Sequence, residues 1–165
     1  MTKIIITGSE SSGKTTICKS LSNYYNIPFA EEYSRMYLNS LQRDYRQEDL
    51  LEIAKGQLKS NQENQICDTD LITIKIWSNY KYGNCNNWIL EQIEKQKTGN
   101  RFYLLCKPDI PWKSDPLREN PTNREELFEI YKEEIEKLKH NYSIIEGEER
   151  IKNSISKISS LISNN

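Results

Sequence analysis

A chain of 165 residues suffices for one domain that buries roughly two-thirds of its unfolded surface, and is too short for two domains of ordinary size. With 28% charged and 36% hydrophobic residues the composition is that of a globular protein rather than a disordered one. The formal net charge is −1 and the two signs are interspersed, which argues against a nucleic-acid-binding face but leaves room for a local basic pocket.

In chain order, Lys3–Thr7 is a β-branched run ending at Gly8, the pattern of a buried parallel strand. Its apolar stretch is too short for a signal peptide, and a membrane span needs about 20 residues, so a cytoplasmic location without membrane association is expected. A helix is predicted over 14–25, with Ile17, Leu21 and Tyr24 on one face. Pro28 interrupts the chain, and 27–30 is a short second strand. Residues 32–41 and 48–64 read as helices, the latter with Leu50, Leu51, Ala54 and Leu58 near one stripe. Residues 65–68 form the next strand candidate. Leu71–Tyr80 is apolar up to the turn at 83–87, 88–97 is helical in pattern, and 102–106 is a continuous apolar strand. Residues 107–123 hold four of the five prolines and read as a long loop or lid. An amphipathic helix over 124–140, with Leu127, Tyr131, Ile135 and Leu138, precedes a last strand at 142–146. Ile151, Ile155, Ile158 and Ile162 mark a closing helix. The alternation over the whole length predicts a single α/β domain (1–165, lid about 107–123), with a parallel sheet, helices on both faces, and ligands beyond the carboxyl ends of the strands.

The four cysteines, Cys18, Cys67, Cys85 and Cys106, show no CxxC pairing, and Cys67 and Cys106 sit in strand-like runs as small hydrophobes. His140 is the only histidine, which rules out a histidine-based nucleophilic triad; near a helix end, it is expected to cap or to lie on the surface.

The stretch Gly8-Ser-Glu-Ser-Ser-Gly13-Lys14-Thr15 matches G-x-x-x-x-G-K-[ST] at every fixed position, with a strand before it and a helix after it. Gly8 and Gly13 allow the tight curl that turns successive N–H groups toward phosphate oxygens, and the following helix adds the positive end of its dipole. Lys14 is expected to reach the β- and γ-phosphates of ATP and the Thr15 hydroxyl to ligate Mg²⁺; Ser11, Ser12 and Thr16 complete the candidate ATP-binding set.

Asp68 and Asp70 end the third strand. One carboxylate there can hold Mg²⁺ or substrate and the other can cap the next helix, with Asp68 and Asp70 in those respective roles or the reverse. Glu31, Glu32 and Arg35 follow the second strand. Glu32 is the candidate general base for a hydroxyl proton, the alternative being a mere surface ion pair between Glu32 and Arg35. In the lid, Arg118 is the candidate for stabilising charge on a transferring phosphoryl group, against the alternative of a solvated loop arginine; Trp112 reads as a packing anchor.

The ordered set GSESSGKTT, EEYSR, CDTDLITIKIW and PWKSDPLR resembles the ribosylnicotinamide kinase domain of NadR-type proteins and related free-standing P-loop kinases or ATPases of NAD metabolism, over nearly the whole chain. The resemblance implies a three-layer P-loop NTPase fold of the nucleoside- and nucleotide-kinase kind, with the first strand central and the strand ending at Asp68 beside it. It implies ATP and Mg²⁺ as cosubstrates and a small nucleoside-like partner, phosphorylated at the 5′-hydroxyl of nicotinamide riboside to give the mononucleotide. It places Glu32, Tyr33, Arg35, Asp68, Asp70, Trp112, Asp115 and Arg118 at matching motif positions, and makes Glu31, Tyr33, Arg35, Asp70, Trp112 and Asp115 the candidate substrate contacts. The chain departs at Glu31 and Ser60, where the family has aromatic side chains around the nicotinamide ring; Glu31 would instead attract a pyridinium cation. Another nucleoside or nucleotide acceptor, and a regulatory nucleotide switch, are the competing readings; a GTPase is disfavoured by the lack of an N-K-x-D motif.

Overall fold

The computed structural model describes residues 1–162. Its strands are β1 (Lys3–Thr7), β2 (Phe29–Ala30), β3 (Ile66–Asp68), β4 (Arg101–Cys106) and β5 (Asn141–Ile145), paired in the order β2-β3-β1-β4-β5 with every pair parallel. The helices are α1 (Lys14–Tyr25), α2 (Tyr33–Ser40), α3 (Gln47–Glu63), α4 (Leu71–Tyr82), α5 (Asn87–Lys95), α6 (Arg124–Lys137) and α7 (Arg150–Ile158), with a 3₁₀ turn at Gln96–Thr98.

Strand side chains alternate between faces, and the two cores follow that alternation. Ile5, Cys67, Tyr103 and Leu105 point into one layer with α3, α4, α5 and α6. Ile4, Ile6, Ile66, Leu104 and Cys106 point into the other with α1 and α7. Covered on both faces, β1 needs apolar residues at consecutive positions, hence the unbroken Ile4-Ile5-Ile6. The expected three layers and central first strand are present.

Several boundaries differ from expectation. β2 keeps two residues, because Pro28 has no N–H to give a ladder and the Ile27 N–H donates to the Ser22 carbonyl (3.2 Å) in the turn that ends α1. Tyr24, expected on the apolar face of α1, is 65% exposed; Tyr25 packs instead, its hydroxyl donating to the Ile155 carbonyl at 2.8 Å. α6 ends at Lys137, and Lys139 takes a left-handed φ of 58°. The chain therefore turns His140 inward rather than leaving it as a cap or at the surface. Its ring lies 5.6 Å from that of Tyr103, and burial, then Arg101, lowers its pKa. α7 stops at Ile158, and Ile162 reaches the core from a turn beyond it. Among the described residues no helix is long and apolar enough to cross a membrane.

The α2–α3 corner is built on Asp49. Its carboxylate accepts from Arg43 (2.8 and 2.9 Å), the Arg46 N–H (2.7 Å) and the Tyr37 hydroxyl (2.8 Å), so it joins α2, the connecting loop and the first turn of α3. The Arg43 guanidinium, outweighing burial and aided by the Arg46 N–H, holds this carboxyl well below the usual carboxylate range. With the folded-state value depressed, its stabilisation is present above the unfolded value of about 4 and is lost as pH falls through the acid range. Asp49→Asn is expected to cost about 1–2 kcal/mol at pH 7 and to flatten the acid limb. Melting temperatures of both proteins between pH 3 and 7 check this; parallel curves would remove Asp49 from the acid response.

Candidate functional site

β1 delivers the chain into the phosphate loop at the carboxyl edge of the sheet. Gly8 sits at φ 139°, and a Cβ there would lie 2.7 Å from the Cys106 carbonyl oxygen; Gly13 at φ 87° would bring a Cβ 2.9 Å from Arg150 Nη1. Both positions thus require glycine. Within the loop Ser12 Oγ (2.6 Å) and Lys14 Nζ (2.8 Å) donate to the Ser9 carbonyl. Arg150, the first residue of α7, donates to the Ser12 carbonyl (2.6 Å), the Lys107 carbonyl (3.0 Å) and Asp109 (2.5 Å), clamping the loop to the ends of β4 and β5. A loop held in this form presents N–H groups to an anion at the start of α1.

The register of β3 on β1 pairs Asp68 with Ile6, at the mouth of the loop. Asp68 is 1% exposed; its Oδ2 accepts from Thr15 Oγ1 at 2.7 Å while its Oδ1 is buried with no partner among the described residues. Burial, then the charge of Glu32, pushes its pKa up to about 6. A hydroxyl beside a carboxylate oxygen that lacks a partner suits a small hard cation. Among the described residues no three His, Cys, Asp or Glu side chains converge, so no all-protein cage for a metal ion is formed there.

The loop floors a cavity of about 510 Å³. Gly8 through Thr16, Glu32, Arg35 and Arg118 all line it, so most of the residues picked out from the sequence meet in one place. Glu32 occupies the N-cap of α2 with an extended backbone and accepts from Ser34 Oγ at 3.0 Å. Arg35 pairs with Asp115 of the lid at 2.9 Å. The alternative of a Glu32–Arg35 surface pair is therefore not the one formed; Arg35 instead bridges α2 to the lid. Arg118 donates to the Lys113 carbonyl at 2.5 Å, within the lid itself.

Five expected substrate contacts stand outside the cavity wall. Asp70 caps α4 through the Ile72 N–H (3.1 Å), accepts from the Tyr103 hydroxyl (2.6 Å) and is 1% exposed, so of its two expected roles the cap is the one present and the substrate contact is not. Tyr33 is turned onto α3: a Cβ on Gly56 would lie 2.2 Å from its ring, which shows how closely the two elements pack. Glu31 is exposed, and only its carbonyl is engaged, by Gln57 Nε2 at 3.4 Å. Trp112 lies 5.6 Å from the Arg124 guanidinium, in packing within the lid region. Asp115 acts at one remove, through Arg35.

The far wall was not anticipated. Thr73, Ile76, Trp77, Tyr80 and Lys81 of α4 line it, a helical i, i+3, i+4 spacing visible in the sequence once that helix is assigned. Behind them the Tyr45 hydroxyl accepts from Trp77 Nε1 (3.1 Å) and from Lys81 Nζ and donates to Glu119 (2.5 Å), while Lys81 pairs with Glu119 at 2.9 Å. Burial, then Glu119, pushes the Tyr45 pKa up to about 12.

In sequence, the chain is similar to the trifunctional NAD biosynthesis/regulator protein NadR of Salmonella typhimurium, 26% identical over 126 residues that make up 70% of this chain and 30% of that protein. For NadR of Escherichia coli the figures are 24% over 159 residues, 88% and 38%. The chain thus spans about a third of the length of these relatives. A crystal structure of NadR in complex with NR superposes with a TM-score of 0.72 at 20% identity, covering 96% of this chain and 50% of that one. Deoxyadenosine kinase from M. mycoides with bound dATP gives 0.59 at 17%, covering 95% and 99%. The P-loop fold expected from the sequence is therefore shared with these proteins. The family described as AAA domain (AAA_28) matches residues 3–150, a stretch that includes the phosphate loop, the Asp68 strand end, the lid and the Arg150 clamp. The chain belongs to that family of P-loop proteins.

Proposed function

We propose that the protein is an ATP-dependent kinase that transfers the γ-phosphoryl group to the 5′-hydroxyl of a nucleoside, with nicotinamide riboside as the leading acceptor. The observation that carries this reading is the position of Glu32, a carboxylate on the wall of the same cavity that the phosphate loop floors and Arg118 borders. A volume of about 510 Å³ suits a small molecule, and Leu38, Ile76, Trp77 and Leu127 give it an apolar side on which a flat base can rest. NadR, which shares this fold, has been crystallised with NR bound, and that supports the choice of acceptor.

Each residue then has a task. Lys14 leaves the Ser9 carbonyl to lie along the β- and γ-phosphates. Glu32 accepts the proton of the attacking hydroxyl. Arg118 turns from the Lys113 carbonyl to the equatorial oxygens, where negative charge is spread in the transition state. Thr15 and Asp68 would hold Mg²⁺, which would supply charge neutralisation to the phosphates. The lid keeps water from competing with the alcohol. Glu31 is exposed and does not line the cavity, so it is not placed to face a pyridinium ring bound there.

One observation favours a nucleotide acceptor instead: Arg35 and Arg118 both border the cavity, and two guanidinium groups can grip a monophosphate. An acceptor panel separates the readings. With Mg-ATP, nicotinamide riboside is expected to give the mononucleotide, identified by mass. Turnover of another nucleoside or a monophosphate, with none of nicotinamide riboside, reassigns the substrate. Slow hydrolysis of ATP with no acceptor product points to a nucleotide switch.

A further inference from the structure

A carboxylate within an anion-binding loop is electrostatically adverse, because it repels the phosphates that the loop collects. Glu10 is such a group, the third residue of the motif and part of the cavity wall. Its charge is taken up by the lid. Oε2 accepts from the Asn120 N–H (2.9 Å), the Glu119 N–H (3.1 Å) and Asn120 Nδ2 (3.2 Å), and Oε1 from the Glu119 N–H (3.2 Å). The next loop residue, Ser11, accepts through Oγ from the Lys113 N–H (2.9 Å) and through its carbonyl from Arg124 (3.0 Å). The strap from Lys113 to Asn120 is thus pinned at each end to consecutive residues of the phosphate loop.

Arg118 lies between the two pins. Its own N–H donates to the Asp115 carbonyl at 3.0 Å, and the next residue, Glu119, is gripped twice: by Glu10 at the backbone and by Lys81 and Tyr45 at the side chain. The phosphate loop and the far wall therefore meet on one lid residue.

We infer that Glu10 is a positioning residue, which holds the lid backbone at Glu119 and Asn120 and thereby sets Arg118 over the phosphate loop. This rests on the kinase reading above. Charge-assisted bonds to two backbone N–H groups hold the strap without using the Arg118 side chain, which stays free to move to the phosphoryl group. They also explain why a carboxylate is tolerated at this point of the loop.

The test compares Glu10→Ala, Glu10→Gln and Asn120→Asp with the unaltered protein. Trypsin in the presence of MgADP reads the strap directly, since it cuts after Lys113 and Arg118, and mass spectrometry locates the cuts. For Glu10→Ala both cuts are expected about tenfold faster and kcat 10–100-fold lower, with the MgADP Kd within about threefold of normal. Glu10→Gln, which keeps a carbonyl oxygen for the same donors, restores most of the protection and rate. Asn120→Asp, which sets a second carboxylate against Glu10 and leaves the loop sequence intact, accelerates the same cuts even if the alanine variant fails to fold. Unchanged cleavage in both Glu10→Ala and Asn120→Asp would overturn the inference. So would a loss of MgADP affinity as large as the loss of kcat, which would assign Glu10 to the nucleotide itself. If no acceptor is phosphorylated, the kinase reading falls alone, because proteolysis and MgADP binding still decide whether Glu10 holds the strap.

Discussion

Replacement of Lys14 by alanine is expected to abolish phosphoryl transfer, lowering the rate by roughly 10³-fold or more. The ammonium group is the one cation built into the loop sequence, and it rests 2.8 Å from the Ser9 carbonyl at the rim of the phosphate site. Its neighbours do not depend on it for their shape. Ser12 Oγ also satisfies the Ser9 carbonyl, Gly8 makes its close approach to Cys106, and Arg150 clamps the Ser12 carbonyl. The variant should therefore melt within a few degrees of the unaltered protein while losing catalysis. Single-turnover measurement at saturating Mg-ATP, beside a melting curve, checks both halves. Transfer within tenfold of normal would mean that the lysine does not meet the phosphates.

Glu32→Gln is expected to lower kcat by roughly 10²–10⁴-fold, with little change in the acceptor KM. Glutamine has the size of glutamate and still accepts from Ser34 Oγ, so the cavity keeps its outline and loses only a base. An unchanged kcat would pass the role to Asp68, which has a buried oxygen with no partner among the described residues and a pKa pushed up to about 6. The substitution has a second consequence, since Glu32 is the largest contributor after burial to that rise. Asp68 should then titrate lower in the variant. Because its folded-state value lies above the unfolded one, its contribution to stability is full at low pH and is lost as pH rises through about 6. The nucleotide-free protein should lose less stability between pH 5 and 7 once Glu32 is neutral, a trend opposite in sign to that of Asp49.

Much of the fold could be read from single residue types placed in order. Gly8 and Gly13 fix the ends of the phosphate loop, and unbroken apolar runs mark strands covered on both faces. Which carboxylate faces the phosphate loop was left open by Cys67-Asp68-Thr69-Asp70, because two aspartates at a strand end look alike. The backbone distinguishes them: Thr69 takes a left-handed φ of 70°, leaving Asp68 against Thr15 and Asp70 on the first turn of α4. Glu32 and Arg35 have the spacing of a helical ion pair, but Glu32 precedes the first helical residue, and the true partner of Arg35 lies 80 residues away. Glu10 falls at a free position of the motif, where pattern carries no information about a lid more than 100 residues further on. His140 was misplaced for a related reason: one left-handed residue before it redirects the chain.

The Arg150 clamp bears on the order of events during folding. The bond from Arg150 to the Ser12 carbonyl joins positions 138 apart in the chain, and the arginine opens α7, which follows the five strands of the described residues. A chain can therefore assemble its sheet before the phosphate loop, more than a hundred residues ahead of α7, acquires this support. The fixed form of the loop is therefore a property of the whole described domain and not of its first strand and helix alone.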